Sequence, residues 1–239
     1  MTHTMFTRSF SLLTVLVCLW SVTTWAFPAN GVLDDFNRAN ENPLANGNWT
    51  IGVLSTDVDL QINTNTMALT SDPATRNSAY WSASQFGPDA EAYITGDVMD
   101  QSQTASTHYV EVCVRLASPD TAGVDGYCAR FSDIGDTIRI FRLDNGTFTQ
   151  LGADISQAIT NSDSVGLSAV GSTLEVWQKA VAGSWTSRGT RTDSTYSAAG
   201  YISVGGVGFS GNTPYDNFGG GTIAAAATLR TLATTGVGQ

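Results

Sequence analysis

The sequence predicts an all-β protein built as a two-sheet antiparallel sandwich. Short runs rich in β-branched and aromatic residues recur about every ten residues, and clusters of Gly, Asn and Asp separate them. Residues that favour helices are scarce at helical spacing. At 239 residues, the chain is long enough to give one such sandwich a substantial core.

The first 26 residues are interpreted as a secretory signal peptide. Arg8 supplies a positive charge, the run Phe10–Trp20 is almost entirely apolar, and Thr24 and Ala26 are small residues of the kind that a signal peptidase requires. The apolar run is too short for a comfortable membrane span, and Cys18 is rejected as a lipid anchor because a valine precedes it. We therefore expect cleavage after Ala26, a secreted or periplasmic location and no membrane insertion.

Cleavage there would leave a strongly acidic chain. It would remove Arg8 and no acid, so ten basic residues would face 21 acidic ones, giving a net charge of −11. Such a surface repels phosphate backbones, so we expect no nucleic-acid partner, and a polyanionic substrate is disfavoured. Aspartate outnumbers glutamate by 17 to four, which solubility explains most simply; calcium ligation is the alternative.

One continuous domain is predicted over residues 27–223, followed by a loosely packed tail over residues 224–239. Neither an internal repeat nor a second domain boundary is recognisable. The predicted strands are Val32–Phe36, Trp49–Val53, Val58–Ile62, Thr66–Leu69, Ser78–Trp81, Glu91–Met99, His108–Leu116, Gly126–Phe131, Thr137–Leu143, Thr147–Leu151, Ser164–Val170, Thr173–Lys179, Trp185–Thr190, Gly200–Val207 and Tyr215–Phe218.

A single antiparallel register accounts for many residues in the middle of the chain. A turn centred between residues 120 and 121 gives an apolar face with the pairs Val110–Phe131, Val112–Ala129 and Val114–Tyr127. The opposite face then pairs Glu111 with Arg130 and Cys113 with Cys128. A second turn at residues 133–136 places Arg139 opposite Arg130, and Asn145–Gly146 suits a type I′ turn.

This register predicts a disulfide between Cys113 and Cys128. Directly opposed residues in a non-hydrogen-bonded pair have Cα atoms about 4.5 Å apart, which a disulfide can span. Export would provide the oxidising environment. Two free thiols are the alternative, and a metal site is disfavoured because no further cysteine or nearby histidine completes a ligand set.

Two segments carry a recognisable pattern: Leu33–Ala39 with Leu44 and Asn48–Thr50 near the start, and Gly200–Val204 with Tyr215–Thr222 near the end. They resemble the concanavalin A-like lectin/glucanase superfamily, in particular the laminin G-like jelly rolls of secreted bacterial and phage-associated proteins. The resemblance covers about Leu33 to Ile223. It implies a jelly-roll sandwich whose first and last strands pair, with Phe36 and Phe218 in the core.

The same resemblance draws attention to Asp34, Asp35 and Asp216. These acids would cap backbone amides at the strand ends, which is the simpler alternative, or hold a structural calcium ion, as several members of the superfamily do. The sequence has no spaced ligand series comparable to an EF-hand loop. Calcium is the one cofactor that the sequence suggests.

Residues for glycan chemistry are scarce. A glycoside hydrolase needs two carboxylates across a cleft, but the chain has four glutamates and no strand with three alternating acids, as in the β-glucanases of this superfamily. His108 is the only histidine beyond the signal peptide. On a strand His108 and Tyr109 would point to opposite faces, unlike the His–Tyr pair of polysaccharide lyases with a similar fold. We expect no catalytic residues.

Carbohydrate binding fits the residue types better. Trp177 alternates with the inward-facing Leu174 and Val176, and a turn at residues 182–183 would place it opposite Arg188, with Trp185 near the hairpin tip. Packing under a loop is the alternative for each ring. The predicted contact residues are Trp177, Arg188, Trp185, Glu111, Arg130 and Arg139.

The predicted function is a secreted, non-catalytic domain that binds carbohydrate or a cell-surface polymer. Two alternatives stay open. One is a hydrolase or lyase of the same fold that acts on glycans. The other is a structural or adhesive envelope module without a small ligand.

Overall fold

A computed structural model describes residues 26–44, 46–55, 60–69, 76–96, 108–160, 162–207 and 215–225. Residues 1–25 of the predicted signal peptide and residues 226–239 of the predicted tail lie outside these ranges. Regular structure in the described ranges is entirely β, and no helix there is long and apolar enough to cross a bilayer. The strands are β1 (Val32–Asp34), β2 (Trp49–Ile51), β3 (Leu60–Asn63), β4 (Thr66–Leu69), β5 (Asn77–Trp81), β6 (Ala90–Gly96), β7 (Tyr109–Ala117), β8 (Asp125–Ser132), β9 (Thr137–Asp144), β10 (Thr147–Gln150), β11 (Ile155–Ser156), β12 (Ser164–Val170), β13 (Thr173–Lys179), β14 (Thr186–Thr192), β15 (Tyr201–Val207) and β16 (Tyr215–Thr222).

The strands form two antiparallel sheets of eight strands each, so the predicted sandwich is confirmed. Sheet A has the order β14-β13-β12-β6-β16-β4-β3, and β1 pairs with β16. Sheet B has the order β10-β9-β8-β7-β15-β5-β2, and β11 pairs with β9. The predicted pairing of the first and last strands is confirmed, with Val32 opposite Gly219 and Asp34 opposite Phe218.

The core lies between the sheets. Val110, Val112 and Val114 project inward from β7, and Phe36 and Phe218 are fully buried with them, as predicted. Sheet A contributes alternate residues of its strands, since a buried face recurs every second residue. Its contributions include Ala92, Ile94, Val165, Leu167, Leu174 and Val176.

The predicted pairs of β7, β8 and β9 are all confirmed, and a β-bulge shifts the β7–β8 register between Val114 and Ala117. Glu111 lies opposite Arg130, which lies opposite Arg139 on the next strand. The turn after β9 has Asn145 and Gly146 at positive φ, as a type I′ turn requires. The outer face of sheet B therefore carries the side chains that alternate with the valines of β7.

The disulfide between Cys113 and Cys128 is present on that outer face. It is buried beside Leu116, Val124 and Leu143, which form a small apolar cluster separate from the main core. The two strands that carry the outer-face charges are thus covalently linked.

Candidate functional site

The six predicted contact residues lie on two different sheets. Trp177 and Arg188 belong to β13 and β14, at the edge of sheet A, and Trp185 immediately precedes β14. Glu111, Arg130 and Arg139 lie on β7, β8 and β9 of sheet B. Both groups are on outer faces, with the core between them, so they do not form one site.

Trp177 is not the open aromatic platform that the sequence suggested. The ring of Phe27 lies parallel to it, with centroids 4.8 Å apart and planes inclined by 1°. The indole N–H donates to Ser168 Oγ at 3.0 Å. Trp185 meets the edge of Phe27 at 4.9 Å and of Tyr93 at 5.8 Å. The prediction of an exposed platform is wrong because residues after the predicted cleavage site cover it, so these rings pack against each other.

The predicted pair of Trp177 and Arg188 is also wrong. Val176 lies opposite Gly189, but Trp177 lies opposite Ser187, so Arg188 is the extra residue of a β-bulge. A bulge places two residues against one and shifts every later pair. The register that the predicted turn gives therefore holds from Val176 and Gly189 onward, and it is off by one residue between the bulge and the turn.

Hydrogen bonds to Glu91 anchor the N-terminal segment, residues 27–31, on the outer face of sheet A. The Glu91 carboxylate is fully buried and accepts from the backbone N–H groups of Ala29 at 2.7 Å and Asn30 at 2.6 Å. The Asn30 side-chain amide donates to the same oxygen at 3.0 Å. Burial raises the pKa of Glu91, and these donors offset part of that rise.

The outer face of sheet B holds a buried ion-pair network. Glu111 is 1% exposed, and it accepts from Arg130 Nε at 2.7 Å and from Arg76 Nε at 3.0 Å. Burial raises the pKa of Glu111, but the charges of Arg76 and Arg130 outweigh burial, so the pKa lies below its ordinary value. The predicted ladder lies on the predicted face, but its glutamate is buried and not solvated.

Arg139 does not join the Glu111 network, although it lies opposite Arg130. Its guanidinium instead donates to both oxygens of Asp154, at 2.9 and 2.8 Å. The side chains of Arg139 and Asp154 are 42% and 41% exposed. Gln150 also donates to Asp154, at 2.8 Å, and these hydrogen bonds lower the pKa of Asp154 to about 2.

Three aromatic rings surround the guanidinium of Arg130. Its central carbon lies 4.5 Å from the ring centroid of Tyr109, 4.7 Å from that of Phe141 and 4.0 Å from that of Phe148. Cation–π attraction and the Glu111 hydrogen bond therefore hold this side chain in one orientation. An arginine fixed in this way can present its remaining donors without losing further side-chain entropy.

A groove of about 250 Å³ opens beside Arg130. It is lined by His108, Tyr109, Arg130, Ser132, Ile134, Thr137 and Arg139. His108 immediately precedes β7, which begins at Tyr109, and the expectation that these two side chains face opposite ways stays a prediction. His108 is buried, and its Nδ1 lies 2.7 Å from Asp133 Oδ1.

Three carbohydrate-recognition domains of known structure have a similar fold. The carbohydrate-binding module CBM66 from Bacillus subtilis aligns with a TM-score of 0.53 and 16% identity, over 73% of this chain and 94% of that chain. The Ca²⁺- and Man3GlcNAc-bound lumenal domain of VIP36 gives a TM-score of 0.52 and 12% identity, over 79% and 90%. The potassium-bound carbohydrate recognition domain of Emp46p gives 0.51 and 8%, over 81% and 97%.

The fold is that of the concanavalin A-like lectins. At these identities the likeness concerns the fold alone. No protein-family model and no curated protein matches this concanavalin A-like chain in sequence.

Metal ions are present in two of those structures, whereas the predicted calcium ligands of this chain already bind protein donors. Asp34 accepts hydrogen bonds on both oxygens: Phe36 N and Arg38 donate to Oδ1, and Trp49 Nε1 and Arg38 to Oδ2. These four hydrogen bonds, from three donor nitrogens, leave this carboxylate no acceptor position for a cation. In this concanavalin A-like domain Asp34 is therefore the centre of a hydrogen-bonded cluster.

The other two acids cap backbone amides, as the simpler alternative predicted. Asp35 accepts from Asn37 N at 3.1 Å, and Asp216 accepts from Asn217 N at 2.9 Å. Within the described ranges, the one group of three closely spaced ligand atoms is Glu111, Cys113 and Cys128, whose sulfurs are bonded to each other. The predicted calcium ligands thus do not form a site in the described chain.

The sequence analysis missed several residues that contact Glu111, Arg130 or Arg139 on the outer face of sheet B. Strand alternation places Tyr109 on the face of Glu111, and the predicted register pairs Phe141 with Cys128. The positions of both rings therefore follow from the sequence. Phe148 contacts Arg130 because the hairpin from β9 to β10 places it there, and Asp154 pairs with Arg139 from the loop after β10. Arg76 precedes β5, and no local pattern links it to Glu111.

Proposed function

We propose that this chain is a non-catalytic domain that binds a glycan in the sheet B groove. The observation that carries the proposal is the pairing of Tyr109 with the two cross-strand arginines, Arg130 and Arg139, around one open groove. Aromatic faces cover the apolar surface of a sugar ring, and guanidinium groups donate to its oxygens. The carbohydrate-recognition domains with this fold support the same class of ligand.

The size of the groove suits one or two sugar units. Its volume of about 250 Å³ lies just below the range of ~300–1,000 Å³ that is typical of sites for drug-sized ligands. The Thr137 hydroxyl, which lines the groove, has no hydrogen-bond partner among the described residues. Because this hydroxyl oxygen is buried, a ligand hydroxyl would bond to it only after a local side-chain movement.

A lyase is the second candidate, because His108, Tyr109 and the arginines line one groove. Two features favour binding over catalysis. Burial, followed by the charge of Glu111, raises the pKa of Tyr109, so its phenol stays protonated at neutral pH and suits a hydrogen-bond donor better than a base. His108 is buried against Asp133.

The disulfide supports the proposal that the protein is exported. Disulfides persist in oxidising compartments, and Cys113–Cys128 joins two central strands of the groove face. The cleaved signal peptide over residues 1–26 is part of the same proposal. Both would be tested by N-terminal sequencing of the protein recovered from outside the cytoplasm, which we expect to begin at Phe27.

The binding proposal is tested by a glycan array probed with the exported protein. We expect Tyr109→Ala to weaken binding to any glycan that the array identifies by at least about tenfold, the loss corresponding to ~1.4 kcal/mol. Lys179→Ala, on sheet A, is the matched control and should bind as the unmodified protein does. Equal loss in both variants, or binding unaffected by Tyr109→Ala, would contradict the assignment to the groove.

Two further arms separate the alternatives. Incubation with the bound glycan should release no new reducing ends and no unsaturated sugar, whereas release of either would establish an enzyme. Binding should be unchanged by a chelator, because Asp34 is occupied by protein donors. Loss of binding on chelation, restored by calcium, would contradict that expectation.

A further inference from the structure

We infer that the glycan carries an isolated carboxylate, which the cross-strand pair Arg130 and Arg139 recognises; this inference rests on the proposed function. The two residues lie directly opposite each other on β8 and β9, and both line the groove. Like charges placed opposite on neighbouring strands repel each other. A carboxylate between them would convert that repulsion into two charge-assisted interactions.

The hydrogen bonds already made leave guanidinium donors for a ligand. Arg130 uses Nε for Glu111, and Arg139 uses Nε and Nη2 for Asp154. Both Nη groups of Arg130 and Nη1 of Arg139 donate to no residue in the described ranges. Terminal guanidinium nitrogens match the two oxygens of a carboxylate in geometry as well as in charge.

The acids on this face, in contrast, already have partners. Glu111 is shared between Arg76 and Arg130, so one carboxylate balances two guanidinium groups. Asp154 accepts both hydrogen bonds of Arg139, and Asp133 is paired with His108. The groove therefore offers unpaired donors, and the nearby carboxylates are already engaged.

The charge of the whole chain limits the ligand to isolated acidic groups. The net charge is −10, so a polymer with a charge on every unit would be repelled by the surrounding surface. The expected ligand class is a mostly neutral glycan with a single uronic-acid unit, at an end or on a branch.

Matched sugar pairs test the inference. Each pair consists of two oligosaccharides that differ only in one C6 group, hydroxymethyl in one and carboxylate in the other: glucose and glucuronate, galactose and galacturonate, mannose and mannuronate. The exported protein is titrated with both by calorimetry at low and high salt. For at least one pair we expect the uronate to bind at least about tenfold more tightly, with a preference that shrinks as salt is added.

The variant Arg139→Gln should reduce this preference to less than about threefold. Arg139 is half exposed and pairs only with surface groups, so the variant should remain folded. Lys179→Gln removes one positive charge from sheet A and should keep the full preference.

The outcomes separate the two proposals. Equal binding of both members of every pair overturns the carboxylate inference and leaves glycan binding intact. Binding of neither member of any pair, together with a blank array, overturns both. A preference that survives Arg139→Gln, or that is lost equally in Lys179→Gln, overturns the assignment to Arg130 and Arg139.

Discussion

Phe27 and Trp177 lie face to face, with ring centroids 4.8 Å apart and planes inclined by only 1°. Phe27 is 7% exposed, although it lies immediately after the predicted signal-peptide cleavage site. The hydrogen bonds of Ala29 and Asn30 to Glu91 hold the rest of the N-terminal segment in place. The first residues of the expected mature chain are therefore part of the outer layer of sheet A.

Phe27→Ala is expected to lower the free energy of unfolding by about 3 kcal/mol, because it removes a buried ring and the stacking contact of that ring with Trp177. Urea denaturation measures the change, and tryptophan fluorescence should shift to the red as Trp177 and Trp185 become hydrated. Val32→Ala is the control, since Val32 is 50% exposed in the strand that follows. An unchanged midpoint and spectrum would show that Phe27 does not pack there in solution.

Gly166→Ala should cost about 1–3 kcal/mol through overpacking. A Cβ atom at Gly166 would overlap Phe27 Cζ and would lie 3.1 Å from the carbonyl oxygen of Ala92. Combined with Phe27→Ala, the same substitution should cost clearly less, which a double-mutant cycle would measure. Gly183→Ala is the control, because its nearest contact would be 3.4 Å. Strictly additive effects would argue against contact between the two positions.

Glu111→Gln should destabilise the domain by about 3 kcal/mol at neutral pH, because Arg76 and Arg130 lose their shared counter-ion. The pKa of Glu111 lies below its ordinary value, so its stabilising contribution is complete above about pH 4.3. That contribution is lost as the pH falls through the lower pKa of the folded state. The difference in free energy of unfolding between the unmodified protein and the variant should therefore become smaller at acidic pH.

Urea denaturation at pH 7 and at about pH 3 tests this dependence. Glu175→Gln, on sheet A, should change stability by less than about 0.5 kcal/mol at both values. A difference that is constant with pH would mean that Glu111 acts through packing alone.

Replacing both Cys113 and Cys128 by alanine should cost about 3 kcal/mol, the contribution expected for closing a loop with a sequence separation of 15 residues. The mass of the unmodified protein should be lower by two hydrogen atoms before reduction than after it. Two thiols that react with an alkylating agent in the folded, unreduced protein would contradict the bond.

The middle of the chain was predictable because its information is local. Short turns fix the register of β7, β8 and β9, and inward valines leave one way to orient the strands. Cys113 opposite Cys128 and Glu111 opposite Arg130 follow directly. The outer-face positions of Tyr109 and Phe141 follow from the same register and strand alternation.

Distant contacts were not predictable. Nothing near Trp177 indicates that Phe27, 150 residues earlier, covers its ring. The only marker of the bulge at Arg188 in the hairpin sequence is the isolated Gly189 within β14. Arg76 likewise reaches Glu111 only through tertiary structure. Strand alternation predicts which face of the sheet each residue occupies, but it does not predict which distant segment packs on that face.

Pairing of β1 with β16 has a consequence for how the chain is made. Synthesis begins at the N-terminus, yet Val32 and Asp34 meet their partners, Gly219 and Phe218, only when almost the whole domain has been made. Contacts at such separation are slow to form. Until then, β1 lacks its pairing partner, so a chain stopped before residue 215 would leave this strand exposed to proteases and to other unfinished chains.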